Sequence, residues 1–331
     1  MERQIKVFVT GATGFTGAHL TRRLLEQGHE VVGLDSHEGL QFGALKERGA
    51  DLHIGSVTDA ELVDRLTEGC QRVYHLAAAF RRVNLSKQVY WDVNVGGTRN
   101  VLSAAMKYHV PRVLHCSTCG VHGNVKSIPA DESAPIAPAD WYQETKWQGE
   151  VVCREFMEKG QWITVVRPAA IYGPGDPERF FMLFKRAARG HFIMVGDGRT
   201  HYHPLYITNL IDAMELAIET DAARDKAYLI ADEHSIEIRQ LVTEIGHVFG
   251  KEVRFVHVPY WPVYCLARAC EILYKPLPAE PPLFPRRVDW FIQNRSFDIN
   301  AAKRELGYRP AIDLQTGLAR TAEWYKEQGL I

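Results

Sequence analysis

Short apolar runs and longer amphipathic stretches alternate along the first half of the chain. "KVFVT" (6–10), "EVVGLD" (30–35), "LHIGSV" (52–57), "RVYHLAA" (72–78), "RVLHCST" (112–118) and "TVVRPAAIYG" (164–173) are nearly continuous in apolar and β-branched residues. That pattern predicts strands buried on both faces. Helical periodicity fills the gaps, in a stretch from about residue 15, in "GALKERG", "AELVDRLTEG" and "VYWDVNVGGTRNVLSAAMKYH", and again over about 140–158. Pro111, Pro168 and Pro174 fall at element edges, where a missing N–H is tolerated. The order predicts an α/β fold, a doubly wound parallel sheet of Rossmann type.

Beyond about residue 170 the alternation decays. "RFFMLFKRAARG", "YITNLIDAMELAIE", "IRQLVTEIGHVFG" and "LQTGLARTAEWYKEQ" read as helices, and the proline-rich "YKPLPAEPPLFPRR" as an irregular connection. The expected division is a nucleotide-binding domain over 1–170, with 203–232 returning to it, and a smaller, mainly helical substrate domain over 171–202 and 233–331. The stretch "VPYWPVYCLARACEILYKPLP" (258–278) is broken by Pro262, Arg268 and Glu271, so it reads as buried or interfacial and not as a membrane span.

Charge and cysteines narrow the class. Lys and Arg number 39 against 40 Asp and Glu, a formal charge of −1, which offers no basic field for nucleic acid. The six cysteines are scattered, and the charged N-terminus leads into a short strand-like run, the reverse of a secretion signal. A cytoplasmic protein acting on a small molecule is expected. Cys116 and Cys119 form a CxxC with no second pair or histidine cluster at zinc-ligand spacing, so no metal is expected.

The candidate chemistry starts at "VTGATGFTG". Gly11, Gly14 and Gly17 follow a strand and open a helix, and Asp35 ends the next strand eighteen residues after Gly17. One glycine permits the tight turn, one lets backbone approach a pyrophosphate, and one lets helix pack on strand, with the helix N-terminus facing the anion. Asp35 accepts from ribose hydroxyls and repels a 2′-phosphate, which points to NAD. Further along, "YQETK" sets Tyr142 and Lys146 on one helix face. A phenol of pKa about 10 is a poor base at neutral pH. An ammonium about 4 Å away, at an effective dielectric near 20, favours the phenolate by about 4 kcal/mol.

The spacing of "TGATGFTG" resembles the extended short-chain dehydrogenase/reductase superfamily, which includes the NAD-dependent epimerase/dehydratase and 3β-hydroxysteroid dehydrogenase-like groups. The resemblance continues in order through "VYHLAA", "NVGGTRNVL", "STCGVHG", "YQETK", "RPAAIYGPGD", "YITNLIDA" and "FDINAAKRELGYRP", over nearly the whole chain. It implies Tyr142 as general acid/base, Lys146 as its partner and ribose ligand, and Thr118 as the hydroxyl that orients the substrate oxygen, with Ser117 as the neighbouring alternative. It implies NAD held by Gly11, Thr13, Gly14, Phe15, Thr16, Gly17, Asp35, Ser56, Val57, Leu76, Ala77, Ala78, Lys146 and Pro168. Ser56 departs from the family's usual aspartate. Asn94 and His75 are expected to be structural, with His75 given no proton-transfer role.

The resemblance leaves the substrate open. Dehydratases of the group carry an acid directly after the active-site threonine, where this chain has Cys119 and Gly120, so elimination is disfavoured. Nucleotide-sugar relatives place an arginine where "GDGRTHYHPLYI" has Tyr202, which leaves Arg199, Arg286 or Arg287 as substitute clamps. The reading favours a nucleotide-sugar epimerase. A 3β-hydroxysteroid-type or other lipophilic-alcohol dehydrogenase/reductase stands as the alternative, and a non-catalytic NAD-sensing protein as a remote one. The resemblance also implies a homodimer, pairing helices near 90–108 and 142–158.

Overall fold

The structure, a computed structural model, describes residues 4–80, 85–176, 180–275 and 281–331. In chain order the first elements are β1 (Lys6–Thr10), α1 (Phe15–Glu26), β2 (Glu30–Asp35), α2 (Phe42–Glu47), β3 (Asp51–Ile54), α3 (Ala60–Thr67), β4 (Arg72–His75), α4 (Lys87–Trp91), α5 (Gly97–Lys107) and β5 (Arg112–Cys116). Then come α6 (Trp141–Met157), β6 (Ile163–Pro168), β7 (Ala170–Tyr172), α7 (Phe181–Ala187), β8 (His191–Val195), β9 (His201–Tyr202), β10 (Pro204–Tyr206), α8 (Ile207–Glu219) and β11 (Ala227–Ile230). The chain finishes with β12 (Ile236–Glu237), α9 (Ile238–Val248), β13 (Arg254–Val258), α10 (Tyr260–Tyr274), α11 (Pro285–Asp289), α12 (Asn300–Glu305) and α13 (Leu314–Glu327).

Seven parallel strands form the main sheet, in the order β11-β6-β5-β4-β1-β2-β3. The chain works outward from β1 to β3, crosses back, and resumes at β4, so the sheet switches direction between β1 and β4. Open parallel sheets bind ligands at that crevice, beyond the carboxyl ends of the strands. Each strand's near-continuous apolar run is accounted for by helices on both faces: Val7, Val9, Val31 and Leu114 pack with one cluster, and Phe8, Val32, Val73 and Val113 with the other. The first cluster continues without a break into Phe184, Phe192, Ile245 and Leu318, so the C-terminal segments share a core with the sheet.

Three elements depart from the sequence reading. The run 164–173 is two strands, because Ala169 N turns to Ile230 O and Ala170 N to His203 O, and β7 leaves the sheet to pair with β10. "HFIMV" and "RFVHV" pair as β8 and β13, so the later part of the chain is less purely helical than its periodicity suggests. Within the proline-rich connection, Pro285 starts the short helix α11 from its first position, where a proline's missing N–H costs nothing; residues 276–280 lie outside the described set.

Burial of titratable groups has a consequence for acid stability. Burial, the leading cause in each case, depresses the pKa of His19 and His203 to about 4 and of His75 to about 3, and lowers His115 and His122 as well. The unfolded chain takes up protons at these sites near the ordinary value of 6.5 while the folded chain does not, so stability present above that pH is lost as pH falls. Asp232, pushed up to about 7 by burial, acts in the opposite sense, as do the raised carboxyls of Glu132 and Glu215. Five depressed histidines outnumber three raised carboxyls. The melting temperature is expected to fall steadily from pH 6.5 towards pH 4; scanning calorimetry across that window tests this, and a flat or rising midpoint contradicts it.

Candidate active site

The glycine loop folds as a close-packed cradle. Gly11 has a φ of +70°, and a Cβ there would sit 2.9 Å from Ala77 N. A Cβ on Gly17 would lie 1.8 Å from Gly11 O, so α1 seats on the loop only because that position is bare. Gly14 caps α1 without a side-chain bond, and no acidic residue occupies the first turn. The leading amides of Phe15, Thr16 and Gly17 therefore point out of the helix with its positive dipole end behind them. Asp35 Oδ2 accepts from Thr13 N (3.0 Å), Thr13 Oγ1 (3.0 Å) and Gly14 N (3.1 Å), which locks the loop. Its Oδ1 accepts from Ser36 N at 2.8 Å and keeps lone-pair capacity for a ribose hydroxyl. The residues present thus fit a dinucleotide with a bare 2′-hydroxyl.

The far walls are set by equally specific contacts. Ser56 bonds Thr58 through both its hydroxyl and the Thr58 amide, and Asn100 Nδ2 holds Val57 O at 3.0 Å. Val57 packs so tightly on Gly97 that a Cβ there would be 2.4 Å away. His19 on α1 bonds Pro174 O at 2.8 Å, which draws the loop of residues 173–176 over the start of α1. Leu76 N bonds Thr10 O, and Pro168 is buried at the end of β6 beside β11.

A polar line then runs from this cradle to helix α6. Ala77 N donates to Thr10 Oγ1 (3.1 Å), Thr10 Oγ1 bonds His75 Nδ1 (2.8 Å), His75 Nε2 bonds Thr98 Oγ1 (3.0 Å), and Thr98 Oγ1 donates to Asn94 O (2.7 Å). Because Thr98 spends its proton on Asn94, His75 carries its hydrogen on Nε2 and accepts at Nδ1. His75 thereby bridges Thr10 and Thr98. Asn94 sits in a π turn, Asp92–Gly96, between α4 and α5, and its side chain joins Ala79 N (2.7 Å) to Thr145 Oγ1 (2.9 Å) on α6. Such one-turn π insertions re-aim a side chain at functional sites; here the turn aims Asn94 at α6.

Helix α6 begins at an Asp140 cap that accepts from Gln143 N at 2.8 Å, and it presents Tyr142, Lys146 and Glu150 at successive turns of one face. All three are buried, Lys146 to 1% exposure. Burial holds the Lys146 pKa below its usual value, and the Glu150 charge partly opposes this. The Tyr142 ring meets Phe80 edge-on with centroids 5.0 Å apart. Thr118 follows β5, is 9% exposed, and accepts from Gly120 N at 3.1 Å, which leaves its own proton for a ligand oxygen.

Behind these residues lies a network that motif reading missed. Arg167 on β6 grips Glu150 in two places, Nε to Oε1 at 3.0 Å and Nη2 to Oε2 at 2.7 Å, and its Nη1 bonds His122 Nε2 at 3.1 Å. Ser117 Oγ donates to Glu150 Oε1 at 2.5 Å, so this hydroxyl, the neighbouring alternative to Thr118, is turned to the network. The only signal was Glu150 standing four residues beyond Lys146. Among the other candidates, Arg199 is exposed with its backbone amide bonded to Asp197, and Tyr202 is packed between Phe180 and Trp290. Arg286 lies 3.8 Å from Asp140 at the head of α6. Among the described residues no His, Cys, Asp and Glu cluster could hold a metal.

Two substitutions test this construction. Gly17→Ala adds a helix-favouring residue worth about 1 kcal/mol, yet it is expected to destabilise by about 2 kcal/mol and abolish dinucleotide binding, because the methyl overlaps Gly11 O. Glu150→Ala strands a buried guanidinium and is expected to cost about 3–5 kcal/mol in denaturant unfolding.

Known proteins fall in line with this geometry. The model of the NAD dependent epimerase/dehydratase family matches residues 7–231. An N-acetyl-α-D-glucosaminyl-diphospho-ditrans,octacis-undecaprenol 4-epimerase of Escherichia coli O157:H7 is 30% identical over 96% of this chain and 94% of its own. A 3β-hydroxysteroid-dehydrogenase/decarboxylase of Arabidopsis thaliana is 30% identical over 95% of this chain and 78% of its own. Among solved structures, the UDP-glucose 4-epimerase of Thermotoga maritima superposes with a TM-score of 0.80 at 25% identity, covering 98% of this chain and 99% of that one. The dTDP-glucose 4,6-dehydratase DesIV of Streptomyces venezuelae, solved with NAD bound, gives 0.79 at 26%, covering 98% and 97%. The chain belongs to the NAD-dependent epimerase/dehydratase family of extended short-chain dehydrogenases/reductases.

Proposed function

We propose that the protein oxidises and re-reduces a secondary alcohol of a glycosyl diphosphate, as a 4-epimerase does. The observation that carries this reading is the buried face of α6, where Tyr142 and Lys146 stand one turn apart, with Thr118 at the end of β5 on the same side of the sheet as the dinucleotide cradle. NAD, held by Gly11–Gly17, Asp35, Ser56, Val57, Leu76–Ala78, Lys146 and Pro168, supplies a hydride acceptor when bound.

The chain's own residues handle the proton. Thr118 donates to the substrate oxygen and fixes its direction, since its acceptor side is already taken by Gly120 N. Tyr142 removes the hydroxyl proton as the carbinol becomes a ketone, with the Lys146 ammonium stabilising the phenolate. Reversal on the other face of the ketone returns the proton from Tyr142 and gives the epimer. Elimination of water is not part of this reading: Cys119 and Gly120 follow Thr118 in a short 3-10 turn, and neither supplies an acid.

Diphosphate recognition falls to Arg286, which is one-third exposed beside Asp140 at the head of the catalytic helix. The name of the Escherichia coli relative, a sugar diphosphate on a polyprenol, supports the same class. A lipophilic-alcohol dehydrogenase is the second reading, favoured by the packed rings of Phe180, Tyr202, Trp290 and Phe291 where other family members place a charged clamp.

Purified protein with bound NAD is to be incubated with UDP-N-acetylglucosamine, a polyprenyl-diphosphate N-acetylglucosamine and a 3β-hydroxysterol. The C4 epimer of a glycosyl diphosphate should accumulate without net reduced nicotinamide; stoichiometric NADH from the sterol would favour the second reading instead. Tyr142→Phe should cut turnover by about 10²–10⁴-fold while NAD affinity stays within about threefold. Parent-like turnover by this variant would remove the proton-transfer role.

A further inference from the structure

Helix α10 is out of keeping with the rest of the fold. Of its fifteen residues only Ala267 is buried, yet its sequence is almost wholly apolar. Tyr260, Val263 and Tyr264 face inward, where they pack with Ala267 against Val195, Val258 and Val288. The outward face carries Trp261 (70% exposed), Leu266 (62%), Ile272 (64%) and Leu273 (71%). On the neighbouring two-stranded sheet, Ile193 (56%) and Val256 (57%) are exposed register partners on the same face as Val195 and Val258, beyond the part that α10 packs against. Single exposed apolar residues are ordinary, but a contiguous patch of this kind marks a surface that meets something.

Charge decides what it meets. Glu271 is the sole carboxylate of α10, and Arg268 takes it at 3.0 Å. Around the patch stand Arg254, on the same strand face as Val256, Lys275 at the end of α10, and Arg287 on α11; among the described residues none of these three makes an ion pair. A second copy meeting this face across a twofold axis would set cations against cations. A surface of anionic lipid headgroups supplies the missing countercharge, and its acyl region takes Trp261, Leu266, Ile272 and Leu273. Trp261, exposed at the start of the helix, suits the depth where apolar tails meet wet headgroups. No helix among the described residues is long and apolar enough to cross a bilayer, so contact is in the plane of the surface.

We infer that α10, with the adjoining β8–β13 face, docks the protein on the surface of an anionic lipid bilayer. The docking helix is one element removed from the catalytic helix, since α11 packs on α10 and its Arg286 reaches Asp140. The inference stands on the surface alone and is independent of which alcohol is oxidised.

The full-length protein is to be co-sedimented with vesicles of phosphatidylcholine and of phosphatidylcholine mixed with phosphatidylglycerol. Binding should rise with phosphatidylglycerol and weaken with salt. The double variant Trp261→Ser/Leu273→Gln, which alters only exposed side chains and should keep its circular dichroism spectrum, should bind at least about tenfold more weakly. Arg254→Glu/Lys275→Glu should remove the preference for phosphatidylglycerol while leaving the weak binding to neutral vesicles. The inference is overturned by parent protein that stays in the supernatant with both vesicle types, or by a Trp261/Leu273 variant that sediments as the parent does. It is equally overturned if that variant merely converts a dimer to a monomer and neither protein binds lipid, which would assign the face to a second copy.

Discussion

The candidate active site depends on one buried ion pair. Glu150 and Arg167 are both almost wholly removed from water, and taking two charges out of solvent is unfavourable unless geometry and extra hydrogen bonds offset it. Here the offset is visible: two guanidinium bonds, the Ser117 hydroxyl on one carboxylate oxygen, and His122 on the remaining guanidinium nitrogen. The pair therefore adds a side-chain tie among three segments, α6, β6 and the loop after β5, the last of which is already joined to β6 through Ser117 N and Val166 O. Thr118 lies between Ser117 and the 3-10 turn ending at His122, so its direction is inherited from a network it does not join. The same carboxylate lies one turn beyond Lys146 and tempers the cost of burying that ammonium.

A second, uncharged line does the corresponding work on the cofactor side. From Ala77 through Thr10, His75 and Thr98 to Asn94, every bond has one donor and one acceptor, which leaves a single arrangement of protons. A charged imidazole would break that chain, and burial keeps His75 neutral at the pH where the protein folds. Asn94 closes the circuit on Thr145, three residues after Tyr142 and one before Lys146. The glycine cradle and the proton-transfer residues are thus fixed relative to one another by side-chain hydrogen bonds as well as by the sheet.

Most of the frame and of the reacting groups was legible in the sequence because both are local. Strand runs, the spacing of Gly11, Gly14 and Gly17, the acid at Asp35 and the one-turn interval from Tyr142 to Lys146 each lie within a window that periodicity or a motif can read. What escaped is non-local. Glu150 and Arg167 are seventeen residues apart on different elements, and each alone looks like ordinary surface charge. Ser117, the alternative to Thr118 as the substrate-orienting hydroxyl, bonds a carboxylate on another element, which no local window shows. The strands β8 and β13 were missed because each is a five-residue run whose partner lies some sixty residues away, and such short runs carry little helix-or-strand information.

The division between what is fixed and what varies follows the same physics. The candidate proton-transfer residues are buried, Tyr142 and Lys146 on α6 and Thr118 beyond the end of β5, where packing and paired polar atoms tolerate little change. Tyr202, at the position where the resemblance expects a charged clamp in nucleotide-sugar relatives, is a ring seated on Trp290 with centroids 5.1 Å apart. An aromatic there cannot grip a phosphate, so under the proposed function a diphosphate is held from elsewhere. Arg286 is suited because it is tethered, at 3.8 Å, to the aspartate that caps the catalytic helix. The pair is partly exposed, so under the proposed function a phosphate competes with Asp140 for the guanidinium. Binding of that anion and the setting of the first turn of α6, where Tyr142 sits, are then linked through a single arginine.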